Sequence, residues 1–505
     1  MFPTRIFDLY KQLRKTVGEL AREESLRVIW AYTQYLQVPD FKIPPDIEVD
    51  RRFYERDVQR VWINEWLLML LAKEVLLHSG VIAKKGASLR QWKTLAGTID
   101  SVNRLENEIY GEYGSPDNVL VELIRIAHRT FEWQGNGPHA NAIIRYHKIL
   151  NTPEISQICV QRHGVTIYEL MACCTSMLGH FLGSHSLRLP LTSEIAELPI
   201  DRFKAIFSLV AEDISTLRSE LNREQQYNES FAYAYNSLRA RPIILMCSGT
   251  SDIAVCPIPT LLFWRFTSGL YYDFIRVPEF ANLFGDSYQA YVGEAVRAAA
   301  PSLSVHEERL YKIGSREKRS VDWIVSDKTN SALFIECKVK RIRLDTKQTL
   351  TDTSPLKDDI GYMASAVVQT YRTIQDCIAG HYPHFKVASD TKIYPCIVTL
   401  ENWHMHGPVM YGVFRDLVRE KMAEDGLPED YVTKMPYSVW PVEDFELGLQ
   451  IMSESSIATV MDGKLLDKEM HDWEWRPYLS QKFKERRKPL FEDDYRKLFA
   501  DFNPV

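Results

Sequence analysis

The chain has 505 residues, of which 45% are hydrophobic and 11% aromatic; this composition excludes a disordered protein and predicts several buried cores. The formal net charge of −6 excludes a uniformly basic nucleic-acid coat, although it leaves room for a local basic groove. The eight cysteines form no CxxC pair and have mostly apolar neighbours, which predicts buried thiols in a reducing cytoplasm. Because no run of about 18 apolar residues occurs, we expect a cytoplasmic protein without a membrane span.

The first half of the chain, residues 1–240, has apolar side chains at helical spacing almost throughout and is predicted to be mostly helical. We expect it to be an accessory or regulatory region that binds DNA, a partner protein or a second copy of the chain. Residues 154–171 contain two short helical patterns around Gly164. Such a pattern fits a helix-turn-helix motif, but it more often indicates an ordinary helical hairpin.

The second half of the chain has a mixed α/β pattern instead of a helical one. Residues 241–274 are rich in proline and aromatic residues and form a predicted connecting segment. Over 275–402 the pattern is a helix, a strand in 308–314, two strands of a hairpin, a second helix and a last strand. This αβββαβ order predicts a mixed central sheet with flanking helices, and residues 403–505 form a predicted mixed α/β extension. The fold class is therefore α+β and multidomain.

The hairpin carries the chemistry that stands out in this sequence. Asp322 lies in the apolar segment SVDWIVS, and the segment ALFIECKV places Glu336 and Lys338 on one face, because side chains alternate along a strand. Charged groups within buried strands are costly unless they have a function. Two carboxylates and the backbone carbonyl of Cys337 would suit Mg²⁺, which prefers oxygen ligands.

An acid-x-lysine triplet is a weak signal by itself, because four others occur in the chain. Only Glu336-Cys337-Lys338 follows an apolar strand and has an acid on the preceding strand. The others stand in polar or turn-like surroundings, which favours a solvated surface for them. These rival triplets are Asp40-Phe41-Lys42, Asp345-Thr346-Lys347, Asp390-Thr391-Lys392 and Asp462-Gly463-Lys464.

Residues 275–402 resemble the PD-(D/E)XK nuclease superfamily, whose core is the restriction-endonuclease-like α/β fold. The family signature is an acid on one strand and acid-x-Lys on the next, here Asp322, thirteen intervening residues, then Glu336 and Lys338. Val321 stands where the family usually has proline. The resemblance implies that the two acids bind the metal and that the lysine acts as catalytic base or charge stabiliser.

The resemblance also assigns supporting residues. Glu294 stands on the first helix, where many family members carry a further metal-binding glutamate. Gln369 and Tyr371 are candidates for the glutamine and tyrosine that some branches place on the helix after the motif, at a shorter spacing than usual. Basic residues flank the motif and would contact phosphates without reading sequence. They are Arg319, Lys340, Arg341 and Arg343.

The function implied by the resemblance is hydrolysis of DNA phosphodiester bonds with Mg²⁺, for which Mn²⁺ could substitute, with RNA as the alternative substrate. An endonuclease of prokaryotic restriction or phage defence fits a large chain with a helical accessory half, and cutting both strands favours a homodimer or a larger homo-oligomer. One competing hypothesis is a nuclease fold without turnover that serves as a nucleic-acid or protein binding module. Another is a helical regulator whose α/β part is only structural.

Overall fold

The structure is a computed structural model that describes residues 3–38, 40–50, 63–115, 119–134, 137–190, 198–248, 251–348, 354–405, 407–483 and 490–500. The chain is α+β and divides into two compact units. The first unit comprises Met1–Pro278, Gln348–Thr351 and Asp493–Val505. The second comprises Glu279–Lys347 and Asp352–Glu492.

The first unit is mostly helical, as the apolar spacing predicts. Its helices up to residue 278 are α1 Thr4–Val17, α2 Arg22–Gln37, α3 Glu65–His78, α4 Trp92–Tyr113, α5 Val119–Thr130, α6 Ala140–Leu150, α7 Pro153–His163, α8 Ile167–Gly183, α9 Ile200–Val210, α10 Ile214–Glu224, α11 Pro259–Phe266 and α12 Tyr271–Phe274. A small sheet accompanies them, with strands β1 Ser186–Arg188, β2 Ala211–Asp213, β3 Ile243–Ser248 and β4 Ser251–Val255 in the order β1-β4-β3-β2.

The segment 154–171 forms the end-to-end pair α7 and α8 in this unit. Gly164 adopts a left-handed conformation that ends α7, and Thr166 and Glu169 form a capping box that begins α8. Helix α8 is mostly buried, which agrees with an ordinary helical hairpin better than with an exposed recognition helix. Among the described residues no single helix is long and apolar enough to cross a membrane, and only α7 and α8 together, bent by 71°, meet that requirement.

The second unit contains a five-stranded mixed sheet and a separate two-stranded hairpin. Its strands are β5 Ser304–Glu307, β6 Leu310–Ile313, β7 Arg316–Arg319, β8 Trp323–Ser326, β9 Ser331–Lys338, β10 Lys392–Thr399 and β11 Ser438–Pro441. Its helices are α13 Phe280–Ala299, α14 Leu344–Gln348, α15 Ser354–Ile378, α16 Pro408–Glu424, α17 Tyr431–Lys434, α18 Val442–Glu454, α19 Ile457–Leu465 and α20 Trp475–Lys482, and α21 Glu492–Ala500 follows at the boundary between the units.

The five-stranded sheet has the order β11-β10-β9-β8-β5. Strands β5, β8 and β9 are antiparallel neighbours, whereas β10 and β11 run parallel to β9. The parallel pair β9 and β10 needs a crossover, which α15 provides. Strand β11 lies beyond residue 402, so the predicted C-terminal extension contributes to the same sheet as the predicted core.

The prediction for the first strand of this sheet is wrong. Residues 310–313 pair with 316–319 as a separate hairpin, and the sheet strand is instead Ser304–Glu307. The hairpin prediction for β8 and β9 is confirmed. The reason for the error is that β5 is an edge strand with mostly exposed or half-buried side chains, so its apolar alternation is weak.

Helices cover both faces of the sheet. On one face, α13 packs so closely that the indole of Trp323 occupies the space where a Cβ on Gly293 would stand, and the indole nitrogen donates to the carbonyl of Gln289 at 2.9 Å. On the other face, α15 packs against β9 and β10. The second face therefore receives the side chains of every other residue of β9, including Glu336 and Lys338.

Candidate functional site

The register of the sheet brings Asp322, Glu336 and Lys338 together. Strands β8 and β9 pair Ile324 with Phe334, and continuing this ladder by two residues sets Asp322 opposite Glu336 on the same face. The Lys338 ammonium lies 2.7 Å from Oε1 of Glu336. Three of the four residues predicted to be catalytic thus form one cluster at the end of β9.

The backbone of β9 holds Asp322 in place. The amide of Cys337 donates to Oδ2 of Asp322 at 2.6 Å. The amide and carbonyl of one strand residue point to the same side, so the Cys337 carbonyl also lies on the Asp322 side of β9. Consistent with this alternation, the carbonyl of the next residue, Lys338, points the other way and accepts from Leu400. The predicted carbonyl ligand is therefore compatible with the strand geometry.

The surroundings of both carboxyl groups disfavour their ionised forms. Burial, chiefly, raises the pKa of Asp322 to about 6, against the lowering effect of the Cys337 amide and the Lys338 ammonium. Burial, together with the neighbouring Asp322 carboxylate, raises the pKa of Glu336 to about 7. The single ammonium of Lys338 does not offset two carboxylates in this setting, so the cluster would be stabilised by a further positive charge.

Glu336 has an oxygen that lacks a partner. Its side chain is 4% exposed, Oε1 accepts from Lys338, and Oε2 is buried without a hydrogen-bond partner. An unsatisfied buried carboxylate oxygen costs free energy of about 1–3 kcal/mol or more. This oxygen is therefore already desolvated and would lose no hydrogen bond on contact with a cation.

Lys338 is charged rather than neutral in this arrangement. Burial lowers the pKa of its ammonium, but the carboxylates of Glu336 and Asp322 raise it by more, and the net direction is upward. Desolvation alone would lower the pKa of Lys338, and the two facing carboxylates outweigh it. Of the two predicted roles, charge stabilisation fits the protonated lysine, whereas a general base would need a neutral amine.

A further acid, Glu308, acts on both carboxyl groups and was not predicted. Its charge contributes to raising the pKa of Asp322 and of Glu336. The amide of Glu308 donates to the Asp322 carbonyl at 2.8 Å, which extends the β5–β8 ladder and sets Glu308 beside Asp322. Only the register of β5 reveals this neighbour, because Glu308 and Asp322 are separated by the whole β6–β7 hairpin.

Glu294 is not brought into the cluster. It is exposed on α13, directly after Gly293, which faces Trp323 on the opposite side of the sheet from Asp322 and Glu336. The α13 side chain that comes near this end of the sheet is Gln289, whose amide lies 3.5 Å from Glu308. Helix α13 therefore approaches Glu308 with the side-chain amide of Gln289, and not with the predicted carboxylate of Glu294.

All four predicted phosphate-binding residues have carboxylate partners within the unit. Lys340 and Arg343 lie 3.2 and 3.3 Å from Oδ1 of Asp359, a completely buried residue of α15. Arg341 is buried and lies 3.2 Å from Glu401. Arg319 differs from them, since its side chain is 73% exposed and its nearest carboxylate, Glu308, is 3.7 Å away.

The two helix residues assigned as supporting do not approach the cluster. Tyr371 is buried, and its hydroxyl donates to the Met435 carbonyl at 2.7 Å, so it is part of the core. Gln369 is exposed on α15. The tyrosine of α15 that does act on Lys338 is Tyr362, which is two helical turns before Gln369 and also lies under the Lys340 ammonium, 4.4 Å from its ring centre.

The cluster fits a magnesium ion better than a metal with a closed protein cage. In the described part of the chain no group of three or more His, Cys, Asp or Glu side chains could hold a metal ion together. Mg²⁺ commonly uses one or two carboxylates and keeps several waters. Asp322, the desolvated Oε2 of Glu336 and the Cys337 carbonyl supply that smaller set of oxygens.

Comparisons with family models, curated proteins and solved structures gave no match to this chain.

Proposed function

We propose that this chain is a Mg²⁺-dependent nuclease that hydrolyses phosphodiester bonds in DNA, with a restriction-endonuclease-like core formed by α13, β5, β8, β9, α15 and β10. The observation that carries the proposal is the pair of carboxyl groups of half-buried Asp322 and buried Glu336, both with a raised pKa, beside one lysine, with Oε2 of Glu336 unpartnered. The strand order and the crossover helix support it.

The proposed roles follow from the contacts. Asp322, Glu336 and the Cys337 carbonyl would hold the ion, which when bound neutralises charge on the phosphate and makes a bound water more acidic. The protonated Lys338 would stabilise the negative charge that develops on the phosphate. Glu308 adds negative charge beside both carboxyl groups, which favours the binding of a cation.

The proposal includes the partners predicted from sequence. The helical first unit would bind DNA, another protein or a second copy, and two copies would supply one site for each strand of a duplex. Restriction or phage defence is the setting that such a chain fits. Size-exclusion chromatography with light scattering tests the homodimer directly, because a monomer at all concentrations and with DNA present would rule it out.

The test of activity is cleavage of supercoiled plasmid and of single-stranded RNA with Mg²⁺, Mn²⁺ or EDTA. We expect metal-dependent cleavage of DNA that falls at least about a hundredfold in Asp322→Asn and Glu336→Gln, since each removes a charged ligand. The matched control is Asp390→Asn, which changes the acid of a rival triplet in an exposed position.

Two outcomes would overturn parts of the proposal. If the wild type cleaves neither DNA nor RNA with either metal, the chain is not the proposed nuclease, and a binding module without turnover becomes the better hypothesis. If cleavage survives in Asp322→Asn and Glu336→Gln alike, the activity resides elsewhere and the site assignment is wrong.

A further inference from the structure

The hairpin formed by β6 and β7 is strongly basic, although the chain as a whole is acidic. Residues 309–319, which we call the basic hairpin, contain five arginine and lysine residues and one acid, whereas the formal net charge of the chain is −6. The cations are Arg309, Lys312, Arg316, Lys318 and Arg319, and the acid is Glu317. A local excess of positive charge on an acidic chain indicates a surface that meets a polyanion.

The basic hairpin begins directly beyond the proposed cleavage site. The amide of Glu308 donates to the carbonyl of Asp322 at 2.8 Å, and the amide of the residue before the bulge described next, Ser320, donates to the hairpin at 3.1 Å. Val321 is an extra residue between the β5–β8 and β6–β7 registers, which makes it a β-bulge. Bulges bend a strand pair and often lie next to active sites. The hairpin is therefore a bent continuation of the strands that carry Asp322.

The exposed cations of the hairpin lie close enough to contact the same DNA molecule as the site. Arg316 stands six residues before Asp322 in the chain, so their Cα atoms are at most about 21 Å apart. Lys312 stands four residues after Glu308, which limits that separation to about 14 Å. One turn of duplex DNA is about 34 Å long. A duplex with a phosphate at Asp322 can therefore reach the hairpin within a single turn.

One face of the hairpin is fixed to helix α15. Tyr311 is buried, and its hydroxyl donates to Oδ2 of Asp376 at 2.6 Å. The Lys318 ammonium donates to the same oxygen at 2.7 Å. The rings of Tyr311 and Tyr382 meet edge to face, with 5.1 Å between their centres. Lys318 thus has its counter-charge within the protein, and a hairpin held in this way loses little conformational entropy when a partner binds.

The other face of the hairpin, which we call the free face, is exposed. Its side chains form two cross-strand pairs, Leu310 with Arg319 and Lys312 with Glu317, and Arg316 is exposed at the tip. Within the part of the chain that the structure describes, the side chains of Lys312 and Arg316 have no ion-pair or hydrogen-bond partner. Their charge is therefore available to a partner, and Glu317 is the one acid that opposes it.

The composition of the free face favours duplex DNA over a single strand. Proteins that bind single strands stack the bases on exposed aromatic rings. The one aromatic residue of 309–319 is Tyr311, and it is buried. A duplex carries one phosphate charge per about 1.7 Å of its axis, against about 3.4 Å for each strand. A fixed row of cations without stacking rings is suited to this denser and stiffer array of phosphates.

We propose that the basic hairpin holds the phosphate backbone of duplex DNA beside the cleaved phosphate, through Lys312, Arg316 and Arg319, without reading the base sequence. This inference rests on the proposed nuclease function. Because these cations lie outside the Asp322–Glu336 cluster, they bind the substrate and its transition state equally. Their loss should therefore raise KM and leave kcat unchanged.

The test is fluorescence anisotropy of the full-length protein in EDTA, with a labelled duplex of about three helical turns. The double variant Lys312→Ala, Arg316→Ala should weaken binding about tenfold. It should also make the slope of log K against log salt concentration less steep by about two, one for each lost phosphate contact. Glu317→Gln should strengthen binding severalfold, because it removes the acid of the free face.

Two controls separate the hairpin from general electrostatics. Lys328→Ala removes an exposed cation from the turn between β8 and β9, at the end of these strands away from Asp322, and should bind the duplex like the wild type. A labelled single strand of the same length should lose much less affinity than the duplex in the double variant. All these substitutions change exposed side chains, so the melting temperatures should equal that of the wild type.

The hairpin proposal is overturned if the wild type does not bind the duplex, or if the double variant binds it like the wild type. It is also overturned if the double variant loses single-strand and duplex binding equally. Because the titration contains no metal, it does not depend on cleavage. Binding through the hairpin without any cleavage in Mg²⁺ or Mn²⁺ would refute the nuclease proposal alone. Cleavage with an unchanged KM in the double variant would refute the hairpin proposal alone.

Discussion

Two charged clusters of the second unit lie close together in the chain, yet their charge balance is opposite. Around Asp359, one buried carboxylate faces two cations, Lys340 and Arg343, and also accepts from the Thr346 hydroxyl at 3.0 Å. At the end of β9, one lysine faces two carboxylates, Asp322 and Glu336.

The difference separates a structural cluster from a candidate active site. The Asp359 cluster ties the chain after β9 to α15, and its basic residues have their counter-charge within the protein. The Asp322–Glu336 cluster is short of positive charge and would gain it from a bound cation. Neutralising an acid should therefore have opposite effects on the stability of the metal-free protein in the two places.

The largest expected effect tests this opposition directly. Asp359→Asn should lower the free energy of unfolding by about 3 kcal/mol, because it leaves two cations without their shared partner. Asp322→Asn should raise the melting temperature in EDTA, because it removes a carboxylate that burial disfavours. Thermal melts of both variants measure these two changes in stability. The control is Asp358→Asn, which removes an exposed partner of Arg343 and should lower the free energy of unfolding by less than about 1 kcal/mol. Equal destabilisation by Asp359→Asn and Asp322→Asn would remove the distinction between the clusters.

The next effect concerns the lysine of the candidate site. Lys338→Met should lower plasmid cleavage about a hundredfold, because it removes the positive charge expected to stabilise the phosphate. It should leave Mn²⁺ binding in calorimetry intact or stronger, since the ammonium no longer competes for Glu336. Lys392→Met, in a rival triplet and paired with Asp462 near the surface, is the matched control and should cleave normally. Loss of Mn²⁺ binding in Lys338→Met would instead make the lysine a structural residue.

A smaller effect is the dependence of stability on pH. The folded-state pKa values of about 6 for Asp322 and about 7 for Glu336 exceed the unfolded values of about 3.9 and 4.3. Their contribution to stability is therefore complete below about pH 4 and is lost as the pH rises through 6 to 7.

Thermal unfolding in EDTA between pH 4.5 and 8 measures this loss of stability. The control is the double variant Asp322→Asn, Glu336→Gln, in which both side chains are neutral at every pH. Mg²⁺ binds the deprotonated carboxylates, so the stabilisation that it confers should be larger at pH 8 than at pH 5. If wild type and double variant follow parallel curves, the two carboxyl groups have ordinary pKa values and the charge argument for the site fails.

The smallest effect distinguishes Arg319, which is largely exposed, from Lys340, which is closer to its carboxylate partner and less exposed. Arg319→Ala should weaken DNA binding severalfold. It should also reduce the steepness of the slope of log K against log salt concentration by about one, as expected for one lost phosphate contact. Lys340→Ala should change binding less, because its ammonium is occupied by Asp359. Fluorescence anisotropy at several salt concentrations, in EDTA, measures both. A larger loss in Lys340→Ala than in Arg319→Ala would mean that DNA displaces the Asp359 contact.

The sequence by itself determined the local part of the site. The alternation in SVDWIVS and ALFIECKV, with the turn between them, specified both strands and placed Glu336 and Lys338 on one face, because the side-chain period of a strand is two. With the two strands paired as a hairpin, Asp322 is confined to the neighbourhood of Glu336. These relations span few residues, and so local pattern was sufficient.

Only the tertiary structure decided which charges meet across larger separations. Glu308 adjoins Asp322 through the register of an edge strand, and Lys340 and Arg343 face Asp359 because α15 folds back over β9. Glu294 fell outside the cluster because α13 covers the opposite face. Burial and register set these contacts, and neither is encoded in a residue's immediate neighbours, so the balance of charge that distinguishes the candidate site could be seen only in the folded chain.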